Sequence, residues 1–377
     1  MRPIQMVDLK QQYTKIKGEV DAAIQEVLDN ASFIQGKAVI DFAGGLSAYT
    51  GSRHTIPCAN GTDALQIAMM ALGLEPGDEV NTPSFTYVAT TEVVALLRLK
   101  PVFVEVDPRT FCMDPESLEK AITPRTRAVV PVHLYGQSAP MEEILRIAGR
   151  HGLYVIEDNA QAIGSQYTFA DGTTRKTGTL GIIGTTSFFP SKNLGCYGDG
   201  GAIFTDDDAL AGKLKMIANH GQSKRYYHDL VGCNSRLDSI QAAVLNVKLK
   251  NLDDYILSRR RAADHYDRSF AGHPKITTPY RAPYSRHVFH QYTLILEGVD
   301  RNGLNEWLAT KNIPSMIYYP VPAHRQQMFA AFGGSSYQLA TTDWLTERVI
   351  SLPMHTELDE DQLQYISSSV LEYISRN

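Results

Sequence analysis

Lys192 stands in SFFPSKNLGCYGDGG, residues 187–201, between an apolar run and a loop with Gly195, Gly198, Gly200 and Gly201. A lysine amine acts as a nucleophile or proton carrier when burial or a nearby cation lowers its pKa. The glycines leave three options open: a phosphate cradle, a tight turn, or a gap through which a bulky cofactor reaches the amine. In YVIEDNAQAIG, Glu157 and Asp158 fall at the C-terminal end of a β-rich run, where open α/β sheets place their ligands. A carboxylate there is costly to desolvate unless a cation or hydrogen-bond donors receive it. Gln161 follows in the ensuing turn, suited to reach the same cavity. Asp158 also reads as a helix cap, or as a metal ligand that lacks further ligands nearby in sequence.

CANGTDALQIA supplies a third group. A strand ends, Gly61 allows close approach, and Thr62 and Asp63 open a helix whose first N–H groups form an anion site. Taken alone, Thr or Asp at a helix start is more often plain capping. Together with Lys192, a phosphate seat, a strand-end acid and an amide suit a cofactor that carries a phosphate, a pyridine nitrogen and an aldehyde. That cofactor is pyridoxal phosphate, whose ring nitrogen Asp158 would keep protonated.

The elements that must hold these groups can be read from hydrophobic patterning. Between about 54 and 205, β-rich runs (HTIPCA, DEVNTP, PVFVEV, AVVPVHL, LYVIED, TTSFF, AIFT) alternate with helical stretches (DALQIAMMAL, EVVALLRL, PESLEKAI, MEEILRIAG). Runs rich in Val, Ile and Phe with little polar alternation predict an α/β sheet, mostly parallel and covered on both faces. Residues 236–270 predict one long amphipathic helix leading out of a large domain, 1–245, into a smaller α/β domain, 246–377. The smaller domain is expected to carry HVFHQYTLIL as a strand, with helices at NGLNEWLATK and near EDQLQYISSSVLEYI.

Composition narrows the function. The 377 residues carry 36 basic and 41 acidic side chains, a balance with no electrostatic footprint for nucleic acid or an anionic membrane. No apolar run suits a secretion signal or a bilayer span, so a cytoplasmic location is expected. Cys58, Cys112, Cys196 and Cys233 lack zinc or disulfide spacing and read as reduced, mostly buried thiols, so no metal is expected. Neither G-x-G-x-x-G between strand and helix nor G-x-x-x-x-G-K-[ST] is present.

The chain resembles the DegT/StrS family of pyridoxal-phosphate sugar aminotransferases nearly end to end. The resemblance is carried by FIQG at 33–36, NGTDAL at 60–65, PSFTYVAT at 83–90, PVHLYG at 131–136, EDNAQAIG at 157–164 and SFFPSKNLGCYGDGG. It continues through GCNSRLDSIQAA at 232–243, YYPVPAH at 318–324 and SLPMH at 351–355. It implies the aspartate-aminotransferase-like fold, fold type I, with a mostly parallel seven-stranded sheet. It implies that Lys192 is the Schiff-base lysine, that Asp158 pairs with the pyridine nitrogen, and that Gln161 bonds the ring hydroxyl. Gly61, Thr62 and Ser187 look like the phosphate seat, and Tyr87, otherwise a core aromatic, matches the residue stacked on the ring. Asn234 matches an asparagine that reaches the cofactor phosphate of the other subunit of a homodimer. Arg236 and Tyr319 are candidate substrate contacts; Arg236 reads equally as a helix-start salt bridge.

Some members carry His in place of Lys192 and dehydrate, so the lysine supports amino transfer. Phe188-Phe189 stands where many members have Phe-His or Tyr-His, and Asp199 where many have Glu. The subgroup most similar is the WbpE type, which aminates the 3-keto group of a UDP-linked N-acetylhexuronic acid. Arg236, Arg225 or Lys224 would meet the uronate carboxylate. The expected reaction is ping-pong: L-glutamate leaves 2-oxoglutarate and pyridoxamine phosphate, and the nucleotide-linked keto sugar then receives the amine. Amination of a 4-keto dTDP-, GDP- or UDP-hexose is a second reading, and a non-catalytic cofactor-binding regulator or structural protein a third. His220, His287, His290 and His324 read as substrate contacts or as bonded structural residues.

Overall fold

The computed structural model describes residues 1–376. The large sheet has seven strands: β1 (His54–Cys58), β2 (Glu79–Pro83), β3 (Lys100–Val104), β4 (Thr126–Val129), β5 (Tyr154–Asp158), β6 (Ile183–Ser187) and β7 (Gly201–Thr205). Their order is β1-β7-β6-β5-β4-β2-β3, and every pairing is parallel except those of β7 with β1 and β6. The mostly parallel sheet expected from the runs of Val and Ile is therefore the sheet observed. Adjacent residues face opposite sides, as the pleat requires: Val155 packs in one core with Val104 and Ile144, and Ile156 in the other with Leu65 and Ile203.

Crossover helices cover both faces: α3 (Gly61–Ala71), α4 (Ala89–Leu96), α5 (Pro115–Ala121), α6 (Met141–His151) and α7 (Asp208–Ala218), preceded by α1 (Leu9–Asp29) and α2 (Lys37–Thr50). Among the described residues no helix is long and apolar enough to cross a membrane. The single helix expected over 236–270 is instead two, α8 (Ser239–Lys250) and α9 (Leu252–Phe270). Asn251 breaks it: its side-chain amide donates to the Val247 carbonyl at 3.0 Å, and its N–H bonds Lys248 O in place of Val247 O. Asparagine competes for backbone groups in this way and weakens helix interiors. The break lets α8 pack on α1 and α2 while α9 enters a second core.

That second core joins Ala262, Tyr266 and Phe270 of α9 to α10 (Arg301–Thr310), α12 (Glu360–Arg376) and a small antiparallel sheet, with Ile4 added from the N-terminus. The small sheet comprises β8 (Ile276–Thr277), β9 (Tyr292–Leu296) and β10 (Val349–Leu352), with β9 in the middle. The helix α11 (Ala340–Arg348) precedes β10 and has its first N–H groups received by the Glu105 carboxylate just beyond β3.

Candidate active site

Sheet register brings the predicted residues to one edge. Gly201 at the start of β7 lies opposite both Cys58, the last residue of β1, and Ser187, the last of β6. Asp158 ends β5 beside Thr185 of β6. The first turn of α3, the end of β5 and the loop carrying Lys192 therefore converge where the parallel strands end.

The N-cap of α3 is Asn60, whose Oδ1 accepts from Asp63 N–H at 2.8 Å, so neither Thr62 nor Asp63 caps the helix. Among the described residues the N–H groups of Gly61 and Thr62 have no protein acceptor. A Cβ on Gly61 would lie 2.7 Å from Ser187 Cβ, so only glycine lets the Ser187 hydroxyl lie beside these two donors. Two open N–H groups at a helix start, next to a hydroxyl, fit a phosphate.

The two strand-end acids face different surroundings. Glu157 is fully buried and accepts from the N–H groups of Gly178, Leu180 and Gly181 and from His133 Nε2, whose other ring nitrogen accepts from Ala139 N–H. Its lone pairs are committed to structure. Asp158, also buried, accepts from Thr90 Oγ1 at 2.8 Å and Ala160 N–H at 3.1 Å, and it has no ion pair among the described residues. A buried carboxylate with so few donors suits a cationic N–H, as a protonated pyridine provides. Thr90 was not singled out from the sequence, although PSFTYVAT contains it.

Gln161 accepts from Tyr135 N–H at 2.8 Å and donates to the Tyr319 hydroxyl at 2.9 Å, leaving one amide hydrogen to spare. Tyr319 lies with its ring centroid 6.3 Å from that of Tyr87, which is more than half exposed. Lys192 is half-buried overall. The protein packed around its ammonium lowers its pKa from 10.5 to about 8, with Asp158 acting in the opposite sense. Desolvation thus makes a free amine available near neutral pH.

The glycines after Lys192 serve space and not turn geometry, because Gly195, Gly198, Gly200 and Gly201 all have ordinary φ angles. A Cβ on Gly195 would overlap the Pro190 carbonyl, and one on Gly201 the Asn60 carbonyl at the start of α3. The loop is closed by Phe188 N–H to Gly200 O at 2.7 Å and Cys196 N–H to Phe188 O at 2.8 Å.

Asn234 and Arg236 stand apart from this set. Their segment is pinned to the end of β1 by Ser235 Oγ, which accepts from Ala59 N–H at 3.1 Å. The Asn234 side chain is exposed, and Arg236 reaches only the Asn219 amide oxygen at 3.5 Å, so the helix-start salt bridge is not formed. Lys224 and Arg225 lie on an exposed hairpin, Gln222–Lys224 with Tyr227–His228, and likewise form no ion pair among the described residues. Of the four histidines, His287 stacks on Phe289 with centroids 3.9 Å apart, and His324 bonds Ser84 Oγ at 2.7 Å. His220 donates its N–H to Cys233 O, and His290 is buried, with a pKa held well below its usual value by burial and by Lys192.

The DegT/DnrJ/EryC1/StrS aminotransferase family profile matches residues 14–371. The chain belongs to this family. It is a pyridoxal-phosphate-dependent aminotransferase, and its donor set, an open helix start, an unpaired buried acid and a desolvated lysine, fits that cofactor. The UDP-2-acetamido-2-deoxy-3-oxo-D-glucuronate aminotransferase of Pseudomonas aeruginosa is 45% identical over 97% of this chain and 99% of its own length. A Geobacillus stearothermophilus protein called "Pleiotropic regulatory protein" is 45% identical over 98% of each chain. The crystal structure of Streptomyces venezuelae DesV in complex with a ketimine intermediate superposes with a TM-score of 0.94 at 39% identity, covering 100% of both chains.

Proposed function

We propose that this aminotransferase moves the amino group of L-glutamate to the 3-keto carbon of a UDP-linked 2-acetamido-2-deoxyhexuronic acid, giving a 2,3-diamino sugar nucleotide. Bound at the strand ends, pyridoxal phosphate supplies a ring that draws electrons from the carbon bearing the amine. The N–H groups of Gly61 and Thr62 and the Ser187 hydroxyl hold the phosphate. Asp158 holds the proton on the ring nitrogen, the spare Gln161 N–H bonds the ring hydroxyl, and Tyr87 covers one ring face. Lys192 Nζ would take the proton from the α-carbon of glutamate and pass it to the cofactor carbon that bears the amine, and in the second half of the cycle would carry a proton from that carbon to C3 of the sugar. A pKa of about 8 suits both directions of transfer near neutral pH.

The active unit is a homodimer in which Asn234 reaches the phosphate held by the second copy. In support, Asn234 is exposed, Ile34 bridges Asp238 four residues further on, and Phe33, Ile34, Tyr226 and Val231 are exposed apolar side chains. Tyr319 and Arg236 contact the sugar nucleotide.

The observation that carries the substrate is the likeness to the Pseudomonas aeruginosa enzyme over nearly the whole of both chains. The unpaired cations Arg236, Arg225 and Lys224 supply partners for a carboxylate. With L-glutamate as donor, kcat/KM for the 3-keto uronate is expected to exceed that for the 3-keto N-acetylglucosamine analogue by about 10–100-fold, the worth of a charge-assisted hydrogen bond. Amino-sugar product and 2-oxoglutarate are quantified by mass spectrometry. A preference for a dTDP-, GDP- or UDP-linked 4-keto hexose in the same assay would overturn the substrate.

A further inference from the structure

Lys248 of α8 is fully buried and takes no part in the chemistry above. Its Nζ donates to Gly195 O at 2.7 Å and lies 4.5 Å from the centroid of the Tyr197 ring, and no carboxylate pairs with it among the described residues. Burying an ammonium without a counter-ion is expensive, and desolvation lowers its pKa to about 8. About two turns earlier on the same face of α8, Gln241 grips the same loop. Its Oε1 accepts from Tyr197 N–H at 2.8 Å and its Nε2 approaches Tyr197 O at 3.5 Å. The Tyr13 ring of α1 meets the Tyr197 ring in a T-shaped contact, with centroids 5.8 Å apart. On the far side, Asn193 Nδ2 donates to Val288 O at 3.1 Å.

Lys192 therefore sits on a loop closed on itself at Phe188, Cys196 and Gly200, and tethered to the body of the protein just beyond the lysine. We propose that Lys248 and Gln241 are positioning residues for amine transfer: from one face of α8 they fix residues 195–197 and so hold Lys192 in its desolvated place. The inference rests on Lys192 being the cofactor lysine. An apolar side chain at 248 would fill the space at no cost in buried charge, so the retained cation is explained by the carbonyl it grips.

The test uses Lys248→Met and Gln241→Leu in full-length protein. In the apo-protein, modification of Lys192 by an amine-reactive reagent is followed against pH by mass spectrometry, and hydrogen exchange is followed over 188–200. Loosening the loop admits water to the Lys192 amine, so the midpoint is expected to rise by about one pH unit or more towards the ordinary lysine value. Exchange over 188–200 quickens, and in the holoenzyme turnover falls about 10²-fold, as for a misplaced catalytic group. For Lys248→Met the melting temperature holds or rises, since a buried unpaired charge has gone. Lost turnover with an unmoved midpoint and unmoved loop exchange would reduce both residues to structural packing and overturn the proposal, as would wild-type behaviour throughout. If Lys248→Met does not fold, Gln241→Leu carries the same readouts. A wild-type Lys192 that titrates like an ordinary lysine would instead count against the reading of Lys192 itself.

Discussion

Lys192→Ala is expected to abolish amine transfer, lowering kcat by about 10⁴-fold or more, because one side chain serves as cofactor anchor and as proton carrier. The fold should survive. The substitution removes an amine whose desolvation disfavours its charged form, and the loop keeps its closure through Phe188, Cys196 and Gly200. The pH dependence of stability supplies a second reading. The Lys192 pKa falls from 10.5 in the unfolded chain to about 8 in the fold. Between those values the unfolded state binds more protons, so raising the pH through this window stabilises the wild-type apo-protein. Relative to Lys192→Ala, the wild type is penalised below about pH 8 and recovers as the pH rises towards 10.5. Steady-state kinetics and thermal melts across this range check both parts; near-normal turnover in the variant would remove Lys192 from the mechanism.

Asp158→Asn is expected to lower the rate of the glutamate half-reaction by about 10²–10³-fold, comparable to deleting one electrostatic partner of a developing charge. Asparagine keeps the shape but brings no negative charge to hold the proton on the ring nitrogen. It also has one acceptor oxygen where Asp158 uses two, for Thr90 Oγ1 and Ala160 N–H. The Thr90 hydroxyl can turn to accept from the new amide and give its own hydrogen to Thr86 Oγ1, 3.3 Å away, while Ala160 N–H keeps the remaining oxygen. Stability thus changes little while the rate falls steeply. Stopped-flow absorbance of the half-reaction measures the rate, and a rate equal to wild type would contradict the pairing.

The large sheet was legible because its strands are covered on both faces and so read as unbroken apolar runs, from HTIPCA to AIFT. Asp158 and Lys192 stand out in the sequence for a related reason: an acid at a strand end and a lysine among glycines are costly to desolvate unless used. Glu157 looked the same in sequence. Its separation from Asp158 depends on backbone donors at Gly178, Leu180 and Gly181, which no local pattern announces. The division of α8 from α9 was missed because the apolar spacing continues across Asn251, and a single side-chain-to-carbonyl bond decides the break. Lys248 carries no local signal in the sequence; only the return of the Lys192 loop onto α8 buries it. The capping role of Asn60 was hidden by Thr62 and Asp63, both good caps in isolation.

Reductive trapping tests the role of Lys192 most directly. Holoenzyme is treated with borohydride, which converts the C=N bond between cofactor and lysine into a stable amine, then digested and mapped by mass spectrometry, with a parallel sample first exposed to L-glutamate. The cofactor mass is expected on the peptide containing Lys192 and no other, and is expected to be lost from that peptide after glutamate. A label on a different lysine, or a Lys192 label that glutamate leaves in place, would contradict that role.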